Sequence, residues 1–158
     1  MAGSARKAVD WRSTRLIALD TSPILYHLED SPAFGARVLP IFLSIERGDR
    51  QATASSLALL EVLVGPYRIK DEARRARLTG LLVSFPNLTW ASMDLPIADR
   101  AAYLRARYDL RTPDAIHLAS AMVSHADLFL TNDRRLRRVR EIPVLLVEDL
   151  AEVHASGG

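Results

Sequence analysis

The chain has 158 residues, no cysteine, a formal net charge of +2 and a sequence pI of about 9.3. That length supports one domain with a sizeable core, and the absence of thiols excludes both a disulfide framework and a thiolate metal site, so a reducing cytoplasm is the expected compartment. No apolar run is long enough to span a bilayer, so no membrane role is expected, and the arginine-heavy basic set permits a nucleic-acid partner without requiring one.

Residues 1–14 read as a loose basic arm, without the apolar centre of a signal peptide. Leu16-Ile17-Ala18-Leu19 is an apolar run of strand length that ends abruptly in Asp20. Ser22 before Pro23 reads as the cap and first turn of a helix reaching Asp30, which leaves the Asp20 carboxylate without a capping role. Ser31-Pro32 opens a second helix through Ile41, Phe42 and Ile45 that stops at Gly48, and Gln51 to Ala54 is a weak second strand.

Ser55-Ser56 caps the run Leu57 to Val64, which Gly65-Pro66 closes. Glu61 is its sole polar member, so the helix is expected to be buried most of the way round and Glu61 to need a cation or hydrogen-bond donors. Asp71 to Leu82 follows as an arginine-rich amphipathic helix, its Arg74, Arg75 and Arg77 solvated or facing a partner. Asn87 to Ala91 is a third strand, and Asp94-Leu95-Pro96 starts a helix through Arg107.

Thr112 and Pro113 open the helix that carries Asp114 and His117. Asp127 to Leu130 is a strand feeding Thr131-Asn132-Asp133, Arg134 to Arg140 is a basic helix, and Pro143 to Val147 is the last strand before a polar tail at 153–158. Strands alternating with helices predict an α/β sandwich with a mainly parallel sheet, a single domain over residues 15–152. In such sheets ligands bind beyond the carboxyl ends of the strands, where Asp20 and Asp133 fall and which Glu61 and Asp114 can reach from adjoining helices.

Singly, Asp114 and Asp133 are explained by helix starts, and Asp94, Asp109 and Asp127 by a helix start and turns. Together, Asp20, Glu61, Asp114 and Asp133 demand more, because carboxylates about 4 Å apart repel by roughly 4 kcal/mol per pair at an effective dielectric near 20. They must protonate, pair with arginines or share a cation. An all-oxygen set selects Mg2+ or Mn2+, as one ion that activates water or as two that clamp both oxygens of a phosphoryl displacement.

Leu19-Asp20-Thr21-Ser22, the Glu61 helix closed by Gly65, Pro113-Asp114-Ala115-Ile116-His117-Leu118-Ala119 and Thr131-Asn132-Asp133 resemble the four acidic motifs of PIN-domain ribonucleases. They are similar in particular to the small toxin ribonucleases of VapBC-type toxin–antitoxin pairs, from about Leu16 to Val147. The resemblance implies a three-layer α/β sandwich with a five-stranded parallel sheet in the order 3-2-1-4-5 and helices on both faces. It implies that Asp20, Glu61, Asp114 and Asp133 bind Mg2+ or Mn2+ and direct water at an RNA phosphodiester, with Thr131 supporting the site. It also implies a homodimer and a cognate VapB-like antitoxin whose C-terminal segment lies near the active site.

Thr21 and Asn132 are candidates to orient a carboxylate or a water. His117, three residues after Asp114, is expected to pack or to support the acids rather than to ligate, because hard ions have little use for imidazole. Arg134, Arg135 and Arg138 are candidates for RNA phosphate, against a solvated face. Tyr26, Phe34, Phe42 and Leu43 belong to the core or an interface. Two rivals stand beside the nuclease. An aspartyl-phosphate phosphatase would want an acid where Ser22 stands; a non-catalytic RNA- or protein-binding module would use the acids as caps and ion pairs.

Overall fold

A computed structural model describes residues 9–151. Five strands form one parallel sheet: β1 (Leu16–Leu19), β2 (Gln51–Ser55), β3 (Leu88–Ala91), β4 (Leu128–Thr131) and β5 (Val144–Leu146). They stand in the order β3-β2-β1-β4-β5, as the resemblance implied. The connecting helices are α1 (Thr21–Leu28), α2 (Gly35–Glu46), α3 (Ser56–Arg68), α4 (Glu72–Val83), α5 (Leu95–Tyr108) and α6 (Thr112–Val123).

The twofold alternation of side chains divides the core between the two faces. Ile17 and Leu19 of β1, Ala52 and Ala54 of β2, and Leu128 and Leu130 of β4 pack under α1 to α4. Ala18 and Phe129 point the other way, into Ile97, Ala101 and Leu104 of α5 and Leu118 and Ala119 of α6. A parallel sheet covered on both faces explains why β1 and β4 read as unbroken apolar runs.

Several boundaries differ from expectation. Of the expected N-terminal arm, residues 1–8 lie outside the described residues, as does the 153–158 tail. Trp11–Ser13 form a 3-10 turn, and Trp11 joins the core. Asp20, not Ser22, caps α1, accepting from Thr21 N at 2.7 Å, which puts Pro23 in the first turn, where its missing donor costs nothing. Pro66 does not end α3, which runs on to Arg68. The ring removes one hydrogen bond near the helix end, and Pro66 is itself buried. Leu60 is 60% and Val64 39% exposed, so α3 turns a face to solvent and is not buried all round. Arg111 rather than Thr112 holds the cap position of α6, and the basic run is a 3-10 helix over Arg134–Arg138 that stops short of Arg140.

Asp127 does more than turn the chain. Its Oδ2 accepts from the backbone N–H groups of Arg15 and Leu16, both at 2.8 Å, and so pins the start of β1 beside β4. Those donors hold its carboxyl below the ordinary value of 3.8. A depressed carboxylate contributes stability above its unfolded-state pKa, and that stability is lost as pH falls through the lower folded-state value. Asp127→Ala is expected to cost about 1 kcal/mol at neutral pH, discounted for solvent exposure, in urea unfolding. The deficit against the parent should vanish in strong acid.

Candidate active site

The order of the strands reverses about β1, and the crevice beyond the carboxyl ends of β1 and β4 is where an open α/β sheet binds its ligand. Asp20 immediately follows β1, Asp133 lies just beyond β4, Asp114 is in the first turn of α6 and Glu61 is midway along α3. All four line one cleft of about 660 Å3, with Thr21, His117, Asn132, Arg134 and Arg135. A larger cavity of about 800 Å3 lies against Trp11, Val144 and Leu150 and carries none of these acids.

Asp20 is fixed at both oxygens. Oδ1 accepts from Thr21 N and Oδ2 from Thr131 Oγ1, each at 2.7 Å. Burial pushes its carboxyl above the usual range, against the opposing pull of His117 and the two hydrogen bonds. Thr131 Oγ1 also accepts from Asp133 N at 3.1 Å, so one hydroxyl orients one acid and positions the backbone of another.

Glu61 finds a histidine where a cation or donors were expected. Its Oε1 lies 2.5 Å from His117 Nε2 and accepts from Thr21 Oγ1 at 3.1 Å. The His117 hydrogen bond is the main reason its carboxyl titrates low. His117 is 4% exposed, and its Nε2 is also 3.8 Å from Asp20 Oδ1. Burial is the largest influence on this imidazole and lowers its pKa, but Glu61, Asp20 and Asp114 together outweigh it and the net direction is up. Nδ1 is buried without a partner among the described residues, whereas Nε2 faces the carboxylates of Glu61 and Asp20.

The other two acids face arginines. Arg135 donates from Nε to Asp133 Oδ1 at 3.0 Å and from Nη2 to Oδ2 at 2.6 Å, and this pairing holds the Asp133 carboxyl low. Asp114 Oδ2 is 3.5 Å from Arg111 Nε and 3.9 Å from Arg135 Nη2.

Asn132 acts as a strut. Its Nδ2 donates to Tyr26 Oη at 3.1 Å, its Oδ1 accepts from Glu148 N at 3.1 Å, and its own N–H donates to Ser22 Oγ at 3.3 Å. Sequence reasoning missed Ser22, Tyr26, Arg111 and Glu148 as parts of this site. The position of Arg111 three residues before Asp114 and that of Ser22 two residues after Asp20 were the available signals; Tyr26 and Glu148 meet Asn132 across long sequence separations. Of the arginines expected at RNA, Arg135 and Arg134 line the cleft, although Arg134 closes on Glu148 at 2.6 and 2.8 Å. Arg138 is not among the lining residues and donates to the Asp109 carbonyl at 3.4 Å.

An expected Mg2+ or Mn2+ suits the oxygen donors of this lining, four carboxylates with hydroxyls and the Asn132 amide, since its one imidazole is already committed to Glu61. Buried Asp20, whose ionisation is opposed by desolvation, is the group such an ion would relieve. As they stand, no three acidic or imidazole side chains among the described residues converge as a ready-made metal cluster. Arg135 and His117 hold part of the set.

The fold is shared with chains in solved structures. The match to VapBC2 from Rickettsia felis bound to a DNA fragment from their promoter has a TM-score of 0.68 at 15% identity, covering 83% of this chain and 98% of that one. The FitAcB structure from Neisseria gonorrhoeae matches with a TM-score of 0.65 at 19% identity over 85% and 99% of the two chains. A toxin–antitoxin complex from Klebsiella pneumoniae matches at 0.60 and 22% over 83% and 97%. At these identities the likeness is one of fold. No curated relative matches the sequence. Residues 17–142 do match the PIN domain model, with all four acids inside the match, and the chain therefore belongs to the PIN domain family, whose general activity is that of a nuclease.

Proposed function

We propose that this chain is a metal-dependent endoribonuclease toxin, a single domain over residues 15–152, that hydrolyses RNA phosphodiester bonds in the cytoplasm and is restrained by a cognate VapB-like antitoxin. The observation that carries the reading is the meeting of Asp20, Glu61, Asp114 and Asp133, from four separate elements, on one cleft at the sheet edge. PIN nucleases generally use divalent metals, and the fold is that of chains found in VapBC and other toxin–antitoxin complexes.

Asp20, Asp114, Asp133 and Glu61 would hold Mg2+ or Mn2+, which when bound offsets phosphate charge and makes water easier to deprotonate. Thr131 and Thr21 keep the Asp20 carboxylate from rotating. His117 holds Glu61 ionised through Oε1, and we assign Glu61 Oε2 to accept the proton of the attacking water. Arg135 and Arg134 line the cleft, which supports assigning them to RNA phosphate. Exposed Leu60, Val64 and Tyr67 on α3 supply apolar surface for the antitoxin or a second copy in a homodimer.

Brief induction of this chain followed by sequencing of RNA 5′ ends tests the reading. New ends at a recurring sequence are expected, with cleavage by the purified chain abolished by complete chelation and restored by Mn2+. Cleavage that survives chelation would overturn the metal-dependent mechanism. No cleavage, together with no shift in Tm on adding Mn2+, would leave a non-catalytic binding module.

A further inference from the structure

Arg135 stands apart from the rest of its basic run. Arg134 closes on Glu148, Arg137 pairs with Asp149, and Arg138 reaches the Asp109 carbonyl. Arg135 turns into the cleft. Its Nε and Nη2 take Asp133 Oδ1 and Oδ2 at 3.0 and 2.6 Å in a two-point pairing, and Nη2 stands 3.9 Å from Asp114 Oδ2. One guanidinium thus binds Asp133 directly and stands at ion-pair range of Asp114, whose Oδ2 is nearer Arg111, and it occupies oxygens that a hard cation between the two acids would need.

We propose that Arg135 is a resident cation of this cleft: it holds Asp133 and screens Asp114 in the metal-free chain, yields the Asp133 oxygens when Mg2+ or Mn2+ binds, and is released toward RNA phosphate. The inference rests on the metal-site reading above.

Two observations and the valence of a carboxylate favour exchange over a fixed structural pair. The Arg135 side chain is 58% exposed, so its grip on Asp133 is screened by solvent and open to competition. The turn does not depend on the guanidinium, because the backbone N–H of Arg135 separately donates to Asp133 Oδ1 at 2.9 Å. An ionised carboxylate has lone pairs enough to keep that backbone donor while it binds a cation. Arg135 can therefore swing out on its own side chain while the 3-10 turn persists. Arg111, 3.5 Å from Asp114, remains to limit the repulsion during the exchange.

Calorimetric titration of the full chain with Mn2+ alone, in the parent, Arg135→Gln and Arg135→Lys, tests this. Arg135→Gln is expected to bind Mn2+ about tenfold more tightly, since the competitor is gone. Arg135→Lys should fall between the two, because an ammonium keeps the charge but cannot fork onto both oxygens. Structural damage would weaken binding instead, and a simple field effect would leave Arg135→Lys equal to the parent. In parallel, the Arg135 Nε–H resonance, assigned by its disappearance in Arg135→Lys, is expected to shift on saturation with Mg2+. Any of three results would overturn the proposal: Arg135→Gln no tighter than the parent, Arg135→Lys indistinguishable from it, or an unmoved resonance at saturation. A parent chain that binds no Mn2+ overturns the metal site as well, whereas equal Mn2+ affinity in parent and Arg135→Gln removes the role of Arg135 alone.

Discussion

Asp20→Asn is expected to reduce RNA cleavage by about 10^3-fold or more while leaving the metal-free chain at least as stable as the parent. The two effects have one cause. Burial raises the Asp20 pKa, so the ionised form costs folding free energy at neutral pH. Stability carried by such a group falls as pH rises from the unfolded toward the folded value, and a neutral amide escapes that penalty. The amide can also keep the local bonds. Its carbonyl takes the Thr21 N–H, and the Thr131 hydroxyl, now a donor to Oδ2, can reverse and accept from the amide beside the Asp133 N–H, although its own O–H then loses this acceptor and part of the gain is offset. What the amide cannot do is supply an anionic oxygen to a cation. Asp114→Asn should lose cleavage to a similar degree. Cleavage at the parental rate in both variants would remove the four-acid mechanism, and a large drop in the Tm of Asp20→Asn would remove the argument that this acid is held at a cost.

Phe129→Ala is expected to lower stability by about 3–5 kcal/mol and Tm by roughly 10 °C, measured by urea and thermal unfolding. Phe129 is 1% exposed and is the large residue of β4 that faces the α5 and α6 layer. Its register neighbours are Ala18 of β1 and Val144 of β5, and Ala18 leaves the space that the ring fills. Truncation leaves a cavity walled by strand backbone and two helices, which cannot easily collapse. The variant should retain Mn2+ binding at low temperature, because Thr131 and Asp133 leave the sheet from the same strand end. The pair of variants separates scaffold from chemistry: one loses stability and keeps the site, the other keeps the fold and loses the site.

The parts of this structure that sequence reasoning reached are those fixed by local pattern. The apolar runs of β1 and β4 placed two strands and, through them, Asp20 and Asp133 at one sheet edge; the strand order came from the resemblance of the acidic motifs. The failures are long-range or compensatory. Ser22 looked like the better helix cap, yet Asp20 caps α1 while also meeting Thr131, a pairing across 111 residues that no local pattern reveals. The apolar run around Glu61 suggested burial on all sides, but Leu60 and Val64 face outward. His117 was expected as a packed or supporting residue, and its contact with Glu61 spans two helices far apart in sequence. Arg134, Arg135 and Arg138 were singled out together as candidates for phosphate, and what separates them is the partner each one meets: Glu148, Asp133 and the Asp109 carbonyl.

The strut through Asn132 also bears on when the site can exist. Asn132 Oδ1 is fixed by the backbone N–H of Glu148, whose carboxylate holds Arg134 and whose carbonyl accepts from Arg37 of α2. During synthesis from the N-terminus, all four acids leave the ribosome before Glu148 does. A nascent chain that ends short of residue 148 has every carboxylate but lacks the brace that sets the loop after β4. This side of the cleft is therefore braced in full only after β5 and the turn that follows it have been made.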